Sequence, residues 1–268
     1  MSVSLESSLT ADQIEQLAVL CKDAEEQAHE ITKLTDEFPN LSVDEAYAVQ
    51  QKLIHLKQAE GKKVIGRKLG LTSVAKQQMM GVHEPTYGTL FDYMMLSETE
   101  PVDLSSLIHP KAEPEIAFYM GEHLEGSNVT GIQVLSATKY VMPAIEIIDS
   151  RYKDFRFTLP DVVADNSSSS RVVLGGKATR VEEIDLSLLG VVFYKNGNLE
   201  STGAGAAVLG HPATAVAWLV NKLYLQGEKL RKGDLVLSGA ITGAYSIQPG
   251  DHVDVRIEKL GNVTIHCK

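Results

Sequence analysis

The chain has 268 residues, 44% of them hydrophobic and 22% charged, the balance of a soluble globular protein built as one large domain or two closely joined ones. With 35 acidic against 25 basic side chains the formal charge is -10, which argues against nucleic-acid binding and for a small-molecule partner. Cys21 and Cys267 stand at opposite ends of the chain, so no disulfide framework or cysteine-ligated zinc is expected, and a reducing cytoplasm suits the protein.

The opening Met-Ser-Val-Ser-Leu-Glu-Ser lacks the basic start and apolar core of a signal peptide, and no stretch reaches membrane-spanning length. A soluble, intracellular protein is expected, in which the sequons at Asn40, Asn128, Asn166 and Asn262 are incidental. Thr10 and Gln13 form a capping box for a first helix carrying Ile14, Leu17, Cys21 and Ala24. Ser42 and Glu45 do the same for a second, with Ala46, Val49, Leu53 and Leu56 as its apolar stripe and Gly61 as its terminator.

From Lys63 the pattern changes to a short strand, Val-Ile-Gly-Arg-Lys-Leu-Gly-Leu-Thr, in which alternation puts Arg67 and Lys68 on opposite faces. Ser73 offers a cap for a brief helix ending near Gly81. Glu-Pro-Thr-Tyr-Gly, residues 84–88, reads as a turn-rich loop of the kind that covers active sites. Beyond about residue 100 strands and turns dominate. Asn196-Gly197 after Val-Val-Phe-Tyr signals a hairpin, and His211-Pro212 opens a helix with proline at its first position. Val253, Val255 and Ile257 alternate in the tail. The expected class is α+β, with a helical region and the Lys68 strand over residues 1–100 and a sheet-rich metal-binding body over 101–268.

Three glutamates carry the chemistry. In a strand Glu113 and Glu115 of Lys-Ala-Glu-Pro-Glu-Ile point to one face, with Pro114, Ile116 and Phe118 on the other. Alone, that pair is as consistent with a solvated strand face as with a site. Glu146, set in Pro-Ala-Ile-Glu-Ile-Ile, tips the balance, because burying an unpaired charge costs several kcal/mol. Carboxylates without nearby cysteine or paired histidine favour Mg²⁺ or Mn²⁺, which prefer oxygen and leave open positions for water and substrate. Lys68 sits on a glycine-rich strand that allows close backbone approach to a ligand. Asp165-Asn166 and the serines 167–170 are too polar for a core strand and read as a capped turn able to hydrogen-bond an anion. Gly203-Ala204-Gly205 lacks the third glycine of a dinucleotide fingerprint, and His83, His109 and His211 read as structural.

Gly66-Arg67-Lys68-Leu69-Gly70-Leu71-Thr72-Ser73, Glu113-Pro-Glu115, Pro143-Ala-Ile-Glu146, Ala164-Asp165-Asn166 and Gly233-Asp-Leu-Val-Leu-Ser-Gly-Ala together resemble the hydratase/decarboxylase family of aromatic meta-cleavage pathways. That family lies within the fumarylacetoacetate-hydrolase-like superfamily, and the likeness runs over essentially the whole chain in the same motif order. It implies a divalent ion held by Glu113, Glu115 and Glu146, with Lys68 as a catalytic or substrate-orienting residue. Leu69, Gly70, Thr86, Asn166, Ser168 and Ser238 are the expected substrate-binding positions. The implied reaction is decarboxylation of 2-oxo-3-hexenedioate, a 2-oxo dicarboxylate, with hydration of 2-hydroxypenta-2,4-dienoate as the alternative. A non-enzymatic metal-binding protein is the reading from another class. The hydratase branch carries an aspartate near residues 85–87 and an aromatic before the strand lysine. Here Thr86 and Arg67 stand there, and absence of an acidic group suits a second substrate carboxylate. The resemblance also implies a homo-oligomer and association with the downstream hydratase.

Overall fold

The computed structural model describes residues 9–268, leaving the side chains of Lys76, Met79, Met80 and Glu183 aside. The N-terminal segment read for a signal peptide falls within residues 1–8, outside the described residues. Elements follow in chain order as α1 (Ala11–Glu26), α2 (Leu34–Glu37), α3 (Val43–Ala59), β1 (Val64–Gly70), α4 (Val74–Met80), β2 (Thr86–Phe91), β3 (Met95–Leu96) and β4 (Lys111–Met120). Next come α5 (Gly131–Ala137), β5 (Thr138–Ile148), α6 (Leu159–Ala164), β6 (Ser169–Leu174), β7 (Gly190–Lys195) and β8 (Asn198–Ala204). The chain closes with α7 (Pro212–Leu225), β9 (Leu235–Leu237), β10 (Tyr245–Ser246), β11 (His252–Ile257) and β12 (Gly261–His266). No described helix is long and apolar enough to cross a membrane.

Local signals set the helix ends. Thr10 accepts from the Gln13 N–H while the Gln13 side chain accepts from the Thr10 N–H, and Ser42 with Glu45 repeats the arrangement, so two otherwise orphaned donors are satisfied at each start. At α7, His211 Nδ1 accepts from the Ala213 N–H at 3.1 Å and Pro212 occupies the first turn. Asn196 (φ 54) and Gly197 (φ 78) supply the two left-handed residues of a tight hairpin turn joining β7 to β8.

Among the described residues the strands form two sheets. The larger has eight strands in the order β2-β1-β9-β4-β5-β6-β3, with β10 added on β4, and the smaller runs β12-β11-β7-β8. The large sheet crosses residue 100: β1 pairs in parallel with β9 and antiparallel with β2, so the Lys68 strand is an integral part of the later body. One face of this sheet, with Ile116, Phe118, Ile145 and Val236, packs on α7 and the small sheet in the main core. The helices α1 and α3 close a second core around Leu17, Val49, Leu53 and Tyr152.

Two expectations are corrected. Residues 86–88 are strand, not loop: Thr86, Tyr87 and Gly88 begin β2, pair with Gly70, Leu69 and Lys68 and are buried. The serine run is buried too, and Ser169 and Ser170 belong to β6. Its polarity is absorbed by backbone. Asn166 Oδ1 accepts from the Thr89 N–H (2.7 Å) and its Nδ2 donates to the Thr89 carbonyl (2.9 Å), while Ser167 Oγ donates to the Tyr87 carbonyl (2.9 Å). Such short side chains satisfy neighbouring main chain as readily in the interior as in a surface turn.

A buried ionic cluster ties the helices to this segment. Arg151 Nη2 lies 3.0 Å from Glu25 Oε2 of α1, and its Nε lies 3.4 Å from Asp165 Oδ1. Lys57 of α3 reaches the same Glu25 at 2.7 Å, and the Tyr93 hydroxyl donates to it at 2.7 Å. Burial opposes the Glu25 charge, yet Arg151 and Lys57 outweigh it and hold the pKa at about 2. Replacing Arg151 with alanine strands the Glu25 and Asp165 carboxylates in the interior and is expected to cost about 3–5 kcal/mol, measured as a lowered urea unfolding free energy.

Candidate active site and metal centre

Antiparallel pairing of β4 with β5 sets Glu113 directly opposite Glu146, and the two-residue repeat of the strand brings Glu115 to the same face. Lys68 arrives through β9: it pairs with Leu237, which pairs with Ala117, two residues past Glu115 on that face. Each glutamate offers one carboxylate oxygen, and these oxygens all lie within 4.8 Å of one another. Glu115 and Glu146 are fully buried, Glu113 is 8% exposed and Lys68 3%. Lys68 Nζ stands 3.1 Å from Glu146 Oε1. The Gly239 N–H donates to Glu115 Oε2 at 2.7 Å; with φ 102 and Thr72 where a Cβ would go, this position requires glycine.

The electrostatics are those of a charge-deficient cage. Burial, reinforced by Glu146 and Glu113, pushes Glu115 well above the ordinary carboxylate range despite Lys68 and the Gly239 N–H. Burial likewise raises Glu146 to about 7 against the pull of Lys68. For Lys68 itself burial disfavours the ammonium, but Glu146, Glu113 and Glu115 prevail and raise its pKa. Deprotonated, as metal ligation requires, the three carboxylates would leave two negative charges that the single Lys68 ammonium does not compensate. Glu115 Oε1 and Glu146 Oε2 are buried without a protein hydrogen-bond donor. An all-oxygen donor set with orphaned lone pairs and a double negative excess fits a hard divalent cation.

Beside the trio opens a cavity of about 550 Å³, lined by Lys68, Glu113, Gly70, Thr86 and Ser168 among others. Ser168 Oγ is buried and unpartnered. Asn166, Ser167 and Ser168 all adopt left-handed backbone (φ 50, 52 and 57), at about 1–2 kcal/mol per residue, and the Asn166 bonds to β2 hold them there. Gly88 admits this turn, since a Cβ on it would strike the Asn166 carbonyl and Ser169 Oγ.

Lys68, Gly70, Thr86 and Ser168 thus come together with the glutamates. The other three positions do not line the cavity. The Leu69 side chain packs in the main core, the Asn166 amide is spent on Thr89, and Ser238 is buried, its N–H donating to the Ile116 carbonyl at 3.1 Å. Arg67 faces away and pairs with Glu228 at 2.6 Å. Ile148, Phe155, Arg156, Phe157 and Val162 also line the cavity, and the sequence reading assigned none of them to the site. The available signal was an aromatic-cation-aromatic triplet shortly after the Glu146 strand.

The family model for the C-terminal region of fumarylacetoacetate (FAA) hydrolase matches residues 63–267. The chain belongs to the fumarylacetoacetate hydrolase family. Over 257 residues it is 46% identical to 4-oxalocrotonate decarboxylase of Pseudomonas sp. (strain CF600), covering 96% of this chain and 97% of that protein. It is also 42% identical over 255 residues to 2-keto-4-pentenoate hydratase of Paraburkholderia xenovorans (strain LB400), 95% of each chain being covered. Its fold matches a solved 4-oxalocrotonate decarboxylase from Pseudomonas putida G7, complexed with magnesium and adipate, with a TM-score of 0.96 at 44% identity over 98% of this chain and 100% of that one.

Protons compete with a cation for these carboxylates. Magnesium affinity is expected to weaken as pH falls through about 7, by up to about tenfold per pH unit for each proton displaced, as measured by titration calorimetry. The metal-free protein has the opposite dependence. Folding raises the Glu146 pKa, so the native state holds more protons than the unfolded one, and stability is lost as pH rises from the ordinary carboxylate range through about 7.

Proposed function

We propose that this chain is a magnesium-dependent 2-oxo-3-hexenedioate (4-oxalocrotonate) decarboxylase, a carbon-carbon lyase of aromatic degradation. The observation that carries the reading is the three-glutamate cage with Lys68 against it, beside a cavity of about 550 Å³ that Lys68 and Glu113 line, in a chain 46% identical to a 4-oxalocrotonate decarboxylase. Glu113, Glu115 and Glu146 hold Mg²⁺, with Mn²⁺ as a substitute of similar chemistry. When bound, the ion supplies positive charge against which the 1-carboxylate and 2-oxo group of the substrate are held.

The chain's own residues do the rest. The bond between C5 and C6 breaks, and C6 leaves as CO2. The freed electron pair forms the C4–C5 double bond, the C3–C4 π pair moves to C2–C3, and the carbonyl π pair comes to rest on the 2-oxygen. Lys68, kept protonated by the glutamates, faces that oxygen with a proton and stabilises the developing charge. Accepting the proton there gives 2-hydroxypenta-2,4-dienoate. Thr86 and Ser168 position the carbon chain through their hydroxyls, and the Gly70 backbone allows its close approach. Phe155 and Phe157 shield the chain carbons from bulk water.

Cytoplasmic location fits two free, buried cysteines. Exposed Ile132 (77%), Leu188 (75%) and Leu225 (75%) offer apolar surface for a homo-oligomer. Association with a downstream hydratase follows from the ready tautomerisation of the dienol, which favours direct transfer.

Supplying 2-oxo-3-hexenedioate with Mg²⁺ is expected to release CO2 and the dienol in equal amounts. Water addition to the dienol without CO2 release would replace this reading with hydratase. The Lys68→Met variant is expected to lower kcat by about 100-fold or more while retaining magnesium binding, as followed by dienol absorbance and calorimetry.

A further inference from the structure

The cavity lining carries two cations in different settings. Lys68 stands among three carboxylates. Arg156 lines the same cavity between two aromatic residues, Phe155 and Phe157. Apart from Lys68, it is the only cation among the described residues lining this cavity. Among the described residues no carboxylate forms an ion pair with it, unlike Arg67, Arg151 and Arg256.

The segment that presents Arg156 is held in place. Asp154 and Phe155 both take left-handed backbone, each with φ 57, which costs about 1–2 kcal/mol per residue and persists only where surroundings enforce it. The enforcement is visible. Lys111 Nζ sits 3.6 Å from the Phe155 ring centroid, Phe155 packs against Phe157 at 5.6 Å, and the Arg156 N–H donates to the Lys153 carbonyl at 3.1 Å. Lys111 lies two residues before Glu113 on β4, and so about 7 Å along the same face. Its contact with Phe155 therefore ties the aromatic residues to the strand that carries Glu113 and Glu115. Lys111 is engaged with that ring, which leaves Arg156 to meet an anion.

We infer that Arg156 is the specificity-determining residue that receives the distal carboxylate of the substrate and selects dicarboxylates over 2-oxo monocarboxylates. This rests on the decarboxylase reading above and names the residue it leaves open. In a chain of net charge -10, a dianion gains from an exposed guanidinium lining the cavity. Arg156 is solvent-exposed, and this position suits the chemistry. The distal carboxylate loses its charge as CO2 departs, so a contact to that charge is stronger in the ground state than in the transition state. A buried, desolvated arginine would hold the leaving group back; a hydrated one captures it and lets it go.

The test compares 2-oxoadipate with 2-oxohexanoate, which share length and 2-oxo acid head and differ only in the distal carboxylate. Binding is measured by calorimetry with saturating Mg²⁺, in wild type, Arg156→Gln and Arg156→Lys. Wild type is expected to prefer 2-oxoadipate by about tenfold, the range for a hydrogen bond to a charged group. Arg156→Gln should lose that preference with the 2-oxohexanoate Kd unchanged, and Arg156→Lys should recover part of it. In turnover, Arg156→Gln should raise KM for 2-oxo-3-hexenedioate without lowering kcat. An unchanged urea unfolding midpoint excludes a folding effect. If wild type prefers 2-oxoadipate and releases CO2 but Arg156→Gln keeps the full preference, the Arg156 assignment is overturned and the decarboxylase reading stands. If wild type shows neither preference nor CO2 release, both are overturned.

Discussion

Burying three carboxylates at one point is the constraint on which the rest of this protein depends. In a dry interior their repulsion and desolvation raise the pKa of Glu115 and Glu146, and a single ammonium from Lys68 compensates only part of the charge. The arrangement makes sense as half of a structure that a divalent cation completes. It also demands an exact register, because the site exists only while Glu113 faces Glu146 across β4 and β5. A slip of one residue in either strand would send a glutamate to the apolar face, among Ile145, Ile147 and Ile116. The alternating apolar residues that prevent the slip are therefore as much part of the site as the ligands.

A second concentration of buried charge adjoins the turn that lines the cavity with Ser167 and Ser168. Arg151 joins Glu25 of α1 to Asp165, and Asp165 immediately precedes the left-handed turn that presents Ser167 and Ser168. Burial raises Asp165 to about 7 against the opposing pull of Arg151, a sign of how closely this cluster is balanced. Strain in the turn, the Asn166 bonds to β2 and the missing Cβ of Gly88 form one mechanical unit. The helical layer thus acts on the site through charge and backbone rather than by supplying a ligand.

In the mechanism proposed above, two kinds of charge must be met. Charge that accumulates on the 2-oxygen would be met at Lys68, whose pKa the neighbouring glutamates raise. Charge that disappears, on the departing carboxylate, would be met by Arg156, where an exposed cation is more useful than a buried one. A hydratase-type reaction needs no second anion site, so under this proposal Arg156 would bear on substrate choice more directly than the metal cage.

By itself the sequence determined the helix ends at Thr10, Ser42 and His211, the hairpin at Asn196-Gly197, the opposed faces of Arg67 and Lys68, and the hard-metal character of the glutamate trio. Each depends on chemistry local to a few residues: capping, left-handed turn preference, strand alternation, or the cost of Glu146 among isoleucines. Family resemblance added Lys68 and the reaction type. Only tertiary structure decided that residues 86–88 are a buried strand, that the serine run lies inside, that Asn166 serves Thr89, and that Leu69 and Ser238 stand off the cavity. It alone brought Arg156 to the cavity that Lys68 and Glu113 also line. These outcomes depend on which backbone groups lie beside a polar side chain once distant segments meet, and strand pairing such as β1 with β9 across some 170 residues leaves no trace in local composition.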